Sequence, residues 1–241
     1  MSIQSYLDMQ KFQYDRDAAH WSLSHRDPVV GSYDAHNAWS DYDKYLFKDF
    51  DTNGLIALEY GCGPGRNIIR YHNRFKRIDG VDISSVVLEK AKINISNAGF
   101  EIPNLIHTNG KAIPCDNETY DVVFSTICLQ HICVYEIRNA IMKEIYRVLK
   151  PGGYICIQMG YGGKERDAWV KYFDNHYGAE GTNGLCDISI DDQDVLEKDL
   201  NKIGFIAYKS DILPVGPGDN HRNWIFFRRK SKGNTWAKLK I

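Results

Sequence analysis

Three glycines at alternate positions, Gly61, Gly63 and Gly65, follow directly on an acid and an aromatic residue, Glu59 and Tyr60. Glycine takes up backbone angles closed to other residues and lets a ligand approach where a Cβ would hold it off. Before the glycines stands an apolar run, Leu55-Ile56-Ala57-Leu58; after them, Ile68-Ile69-Arg70-Tyr71 has helical spacing. The pattern predicts a buried strand, a tight turn and a helix whose first N–H groups lack partners of their own. Such a turn suits a nucleotide-type cofactor. A second acid, Asp82, closes the next short strand, where a carboxylate can hold both hydroxyls of a ribose.

Two residues bear on which cofactor this is. A dinucleotide fingerprint needs Gly-x-Gly-x-x-Gly, with the third glycine beside a pyrophosphate. Here that third position is Arg66. Glu59 would repel a pyrophosphate and attract an ammonium or a sulfonium. Together they favour S-adenosylmethionine over NAD, although the Asp82 position is common to both kinds of site.

The elements that must hold these residues alternate in type. Strands are predicted at 54–60, 78–83, 105–107, 121–125 and 154–157, with helices after Ser84 and from Val134 to Leu149. A helix near 192–203 and two strands near 205–212 and 223–229 follow. This rhythm predicts an α/β fold with a mostly parallel sheet and helices on both faces. Residues 1–52 are rich in aromatics and histidines. They read as an N-terminal helical lid: a short helix and loop around Phe12-Gln13-Tyr14-Asp15, then a helix from His36 to Phe50. Residues 53–230 form the main domain, with an insertion at about 160–190, and residues 231–241 a basic, solvated tail.

Composition narrows the class. Of 241 residues, 43% are apolar and 25% charged, and the net charge is −1, so nothing draws the chain to nucleic acid or an anionic membrane. No apolar run nears the roughly 20 residues of a membrane span. No secretory signal is visible at the start, and six scattered cysteines read as buried free thiols, so a cytoplasmic protein is expected.

Five ordered motifs carry a resemblance: Glu59-Tyr60-Gly61-Cys62-Gly63-Pro64-Gly65, Val81-Asp82-Ile83-Ser84, Asn109-Gly110-Lys111-Ala112-Ile113-Pro114, Tyr120-Asp121-Val122-Val123 and Leu149-Lys150-Pro151-Gly152-Gly153. The chain resembles the class I (Rossmann-like) S-adenosylmethionine-dependent methyltransferases, most closely the small-molecule type with Leu129-Gln130-His131-Ile132 after the fourth strand. The resemblance implies a doubly wound seven-stranded sheet of order 3-2-1-4-5-7-6 with strand 7 antiparallel. It also implies that Glu59, Gly61 and Gly63 face the methionine ammonium end, Asp82 the ribose and Ile83 the adenine. Asn109, beside Gly110, stands where many relatives place an Asp that accepts from the adenine amino group. Thr126 would close over the methionyl portion, and Tyr14 resembles a lid tyrosine.

The methyl acceptor has no motif. The place after strand four holds Ser125-Thr126-Ile127-Cys128 instead of the Asn/Asp-Pro-Pro-aromatic motif of base-amino methyltransferases. Elimination leaves the oxygen or nitrogen of a small polar metabolite, an anionic one if His221 and Arg222 reach it. His131 is the candidate general base, and Tyr14, His131, His221 and Arg222 the candidate acceptor contacts. Cys128, His131 and Cys133 lack a fourth ligand at metal-site spacing, so no metal is expected. The protein is expected to act as a monomer or homodimer. A non-catalytic S-adenosylmethionine-binding or scaffold protein and an NAD-dependent oxidoreductase are the alternatives.

Overall fold

The computed structural model describes residues 1–18, 46–47, 51–161, 170–177, 188–190, 193–214 and 222–230. Helix α1 runs Ile3–Asp17, capped by Ser2, whose side chain accepts from the Ser5 N–H. It is longer than the short helix expected around residue 12, because no glycine or proline interrupts residues 3–17. The helix expected from His36 lies outside the described residues except at Leu46 and Phe47.

The alternation that follows is β1 (Ile56–Tyr60), α2 (Arg66–Tyr71), β2 (Arg77–Asp82), α3 (Ser85–Asn97), β3 (Leu105–His107), β4 (Tyr120–Ser125), α4 (Tyr135–Val148) and β5 (Leu149–Tyr161). A short 3-10 turn, Leu129–His131, lies between β4 and α4. Then come β6 (Val170–Lys171), β7 (Ile188–Ser189), α5 (Gln193–Ile203), β8 (Phe205–Pro214) and β9 (Arg222–Lys230). Strands β3, β2, β1, β4 and β5 are parallel neighbours in that order; the alternation predicts the parallel pairing, and the resemblance implies the order. Beyond β5 the same sheet continues through β9 and then β8, both pairings antiparallel. Strand β5 starts at Leu149, five residues before the predicted Tyr154. Leu149 already pairs with Tyr120, and a register shift absorbs the Pro-Gly-Gly turn.

Each face of the sheet carries its own core. On one side α4 buries Ile137, Ile141, Met142, Ile145 and Val148, a three- and four-residue repeat, with α1 and α5 beside it. On the other, α2 and α3 pack with Leu46 and Phe47. The Phe47 ring meets Tyr71, Phe75 and Phe124 edge-on at 5.1–5.3 Å between centroids. Buried on both faces, β1 and β4 need no alternation, so they read as apolar runs. All of the parallel strands therefore end at one edge, where the acids Glu59 and Asp82 stand.

Against the expectation of six free thiols, Cys133 is disulfide-bonded. Cys62, Cys115, Cys128 and Cys156 are free, and Cys186 lies outside the described residues. Among the described residues no helix is long and apolar enough to cross a membrane.

Candidate active site

A cleft of about 930 Å³, counting the solvent at its mouth, opens at the ends of β1, β2 and β4, under α1. Its floor is the glycine turn. Gly61 and Gly63 both have left-handed backbones, φ 71° and 53°. A Cβ on Gly61 would fall 2.3 Å from Cys128 Sγ, whereas one on Gly63 would meet nothing within 4 Å. The floor is thus closed by Cys128 at one glycine and open at the other. The Gly61 and Cys62 N–H groups donate to the Val81 carbonyl at 2.8 and 3.1 Å. The Asn94 amide donates to the Pro64 carbonyl at 3.0 Å.

Asp82 stitches the turn to β2. One of its oxygens accepts from the Gly63 N–H and the other from the Ser84 N–H, each at 3.0 Å. Burial pushes this carboxyl above its ordinary range, against the pull of those N–H groups. Each oxygen keeps a lone pair for a further donor, as a pair of vicinal hydroxyls requires.

Glu59 is 2% exposed. Its Oε1 accepts from the Asn67 amide at 2.6 Å, and Asn67 donates also to Thr126 Oγ1 at 3.0 Å. Its Oε2 is buried with no hydrogen-bond partner among the described residues. Burial pushes the Glu59 pKa up to about 8; the Asn67 bond and the Arg66 charge oppose this, and Asp82 adds to it. An unsatisfied buried carboxylate oxygen is costly, and a cationic donor in the cleft would complete it.

The far wall is made by Thr108 and Gly110. Thr108 Oγ1 accepts from the Gly110 N–H at 3.1 Å and donates to the Ala112 carbonyl. Gly110 lies between Ile83 and Leu7, so close that a Cβ on it would clash with both. The roof is α1, tied at two places. Tyr6 Oη accepts from the Cys133 N–H at 2.8 Å and donates to the His131 carbonyl at 3.4 Å. About two and a half turns further on, the Ser84 hydroxyl donates to Asp15.

Most of the expected cofactor residues meet here: Tyr14, Glu59, Gly61, Gly63, Asp82, Ile83, Gly110 and Thr126 all line the cleft. Two do not. Asn109 is exposed, and its Oδ1 accepts from the Lys111 and Ala112 N–H groups at 3.0 and 2.9 Å. The oxygen assigned to the adenine closes an Asx turn instead. His131 is half-buried in the 3-10 turn and is not part of the lining. Its backbone serves the loop, taking the Tyr6 bond and donating to the Cys128 carbonyl at 2.9 Å. Arg222 opens β9 opposite Tyr161, and His221 lies outside the described residues. Sequence reasoning missed Asn67, Thr108 and the α1 residues Tyr6, Leu7 and Gln10, all of which line the cleft. Tyr6, Gln10 and Tyr14 recur at every fourth position, a stripe legible in the sequence.

A family described as a methyltransferase domain matches residues 58–157. The demethylmenaquinone methyltransferase of Bacillus subtilis is 28% identical over 133 residues, 54% of this chain and 55% of that protein. Residues 58–157 are thus a methyltransferase domain, and the fold is that of S-adenosylmethionine-dependent methyltransferases. The chain spans about half the length of the curated relatives it matches, such as that enzyme. Among solved structures, a putative methyltransferase from Bacillus halodurans superposes with TM-score 0.63 at 16% identity, covering 80% of this chain and 99% of that one. The cyclase SpnF superposes with TM-score 0.66 at 15% identity, covering 93% and 95%. At such identities the structural likeness concerns the fold alone. S-adenosylmethionine, the cofactor of the class I methyltransferases, fits the groups that line the cleft: a buried carboxylate oxygen without a partner among the described residues, a second carboxylate with lone pairs to spare, and an open glycine floor.

Proposed function

We propose that the chain transfers a methyl group from S-adenosylmethionine to an oxygen or nitrogen of a small-molecule acceptor. The observation that carries this is Glu59, whose buried, unpartnered Oε2 borders the same cleft as Asp82. When bound, the cofactor supplies a methyl group on a sulfonium, already activated for in-line displacement. Glu59 would hold its ammonium group, Asp82 its ribose hydroxyls, and Ile83 and Leu7 its adenine. Helix α1 acts as a lid in this reading, with Tyr14 and Gln10 on its inner face. Catalysis then rests on alignment and on exclusion of water. With His131 off the cleft lining, we assign it no proton transfer.

The acceptor we favour has an apolar or aromatic body and a polar or anionic end. Tyr6, Ile132 and Ile137 line the described part of the cleft nearest the 3-10 turn and would take the body. Residues His221 and Arg222, which begin β9 or just precede it, are proposed for the other end. Support comes from the match to small-molecule methyltransferases, the Bacillus subtilis quinone enzyme among them by its name.

Calorimetric titration with S-adenosylhomocysteine tests the cofactor reading, and binding in the micromolar range is expected. No binding at millimolar concentration would refute it. The fold also carries a cyclase, SpnF, so methyl transfer needs its own test. Release of S-adenosylhomocysteine from S-adenosylmethionine should depend on an added acceptor from a panel of phenols, amines and carboxylic acids. Cofactor binding without such turnover would favour the non-catalytic alternative.

A further inference from the structure

Thr126, Ile127 and Cys128 follow the end of β4, and all three line the cleft. In an extended chain successive side chains point to opposite sides, so three in a row cannot share one cavity. The chain achieves it at Ile127, whose backbone is left-handed with φ 50°. For a β-branched residue this conformation is strained, and it persists only where the surroundings enforce it.

What enforces it is visible one strand away. Strand β5 runs beyond β4: Ser125, the last residue of β4, pairs with Ile157, and the next residue of β5 is Gln158. Gln158 is fully buried. Its Oε1 accepts from the Ile127 N–H at 2.8 Å, and its Nε2 donates to the side-chain oxygen of Gln130 at 2.9 Å. A buried side-chain amide thus stands in for the strand that β5 has lost. On either side of Ile127, Thr126 takes the Asn67 bond and Cys128 presses against Gly61.

We propose that Gln158 is a positioning residue that holds Ile127 left-handed, so that residues 126–128 fold together against the transfer end of the cleft. This rests on the reading of the cleft as the S-adenosylmethionine site. Gln158 touches neither cofactor nor acceptor in this account; it acts through the Ile127 N–H. Once that bond is lost, Ile127 relaxes to an ordinary negative φ, and the wall made by Thr126 and Cys128 opens.

The test is a cycle on the full chain, with S-adenosylhomocysteine as probe and Kd read by calorimetry. Gln158→Leu keeps the bulk and removes the bond; it is expected to raise Kd about tenfold in the native background. In an Ile127→Gly background, where the left-handed conformation carries no strain, the same change is expected to raise Kd less than threefold, whatever Ile127→Gly does alone. Circular dichroism and Tm establish that all variants are folded at the titration temperature, and a merely structural Gln158 would lower Tm without this coupling. If Gln158→Leu raises Kd equally in both backgrounds, or in neither, the proposal is overturned. If the native chain itself does not bind the probe, it is the cofactor reading that fails. Should Gln158→Leu not fold, Gln130→Ala releases only the other end of the amide. A rise in Kd that vanishes with Ile127→Gly would then support the proposal, and an unchanged Kd would overturn it.

Discussion

Replacing Glu59 by glutamine should make the empty protein more stable and the bound complex weaker. In the folded chain burial lifts this carboxyl from its ordinary 4.5 to about 8. An acid whose pKa rises on folding gives its full stability below the unfolded value and loses it as pH climbs through 4.5 towards 8. At pH 7 the unfolded chain has released a proton that the folded chain still largely holds. The difference amounts to roughly 3 kcal/mol against the folded state. Glutamine cannot titrate, yet it can keep the Asn67 bond through its carbonyl and place an N–H where a protonated Glu59 has its O–H. Glu59→Gln should therefore gain up to about 3 kcal/mol at pH 7, and under about 1 kcal/mol at pH 5. For a chain of this size each kcal/mol is worth about 2–4 °C in Tm. Denaturant unfolding of both proteins at pH 5, 7 and 8 measures the gap, and S-adenosylhomocysteine titration of the same samples should show the variant binding at least tenfold more weakly. A gap that stays constant with pH, or one that favours the native protein at pH 8, would refute the reasoning.

Other outcomes follow from the same geometry. Binding of S-adenosylhomocysteine at pH 7 should release close to one proton, because an ammonium group beside Glu59 brings its pKa down; calorimetry in two buffers of different ionisation enthalpy counts it, and zero release would contradict the pairing. Asp82→Ala should cost about 1–3 kcal/mol of cofactor affinity by equilibrium dialysis, since it removes the proposed ribose bonds and frees the Gly63 N–H. Tyr6→Phe leaves the buried Cys133 N–H without its acceptor and should cost about 1–3 kcal/mol in chemical denaturation. His131→Ala should lower kcat less than tenfold once an acceptor is in hand; a loss of a hundredfold or more would restore it as a base.

The parts of the site legible in the sequence were those fixed by backbone demands. Gly61 and Gly63 announce left-handed angles, and Asp82 announces the end of a strand because an acid there interrupts an apolar run. The parallel sheet from β3 to β5 follows from the strand–helix alternation, while its order was legible only through the family resemblance. Asn109 has two possible uses for its side chain that the sequence does not separate, and in the structure its oxygen serves the adjacent turn. Asn67 was hidden by distance: it meets Glu59 only when α2 folds back over β1, and Thr126 only when β4 pairs beside them. Gln158 sits in the middle of an apolar strand, and its use depends on β4 stopping short. The disulfide at Cys133 gave no signal in spacing or composition.

Helix α1 is the first element in the chain, yet the groups that fasten it come much later: Ser84 for Asp15, and the Cys133 N–H for Tyr6, 69 and 127 residues away. Neither anchor exists until β2, β4 and the turns beyond them are in place. A segment that precedes both of its anchors in the chain is thus among the last to find its seat, and until then it is an isolated helix too short to be stable alone. The same arithmetic runs in reverse in the finished protein. Its amides should exchange with solvent through a local detachment that leaves the two sheet cores intact, well before the molecule unfolds as a whole.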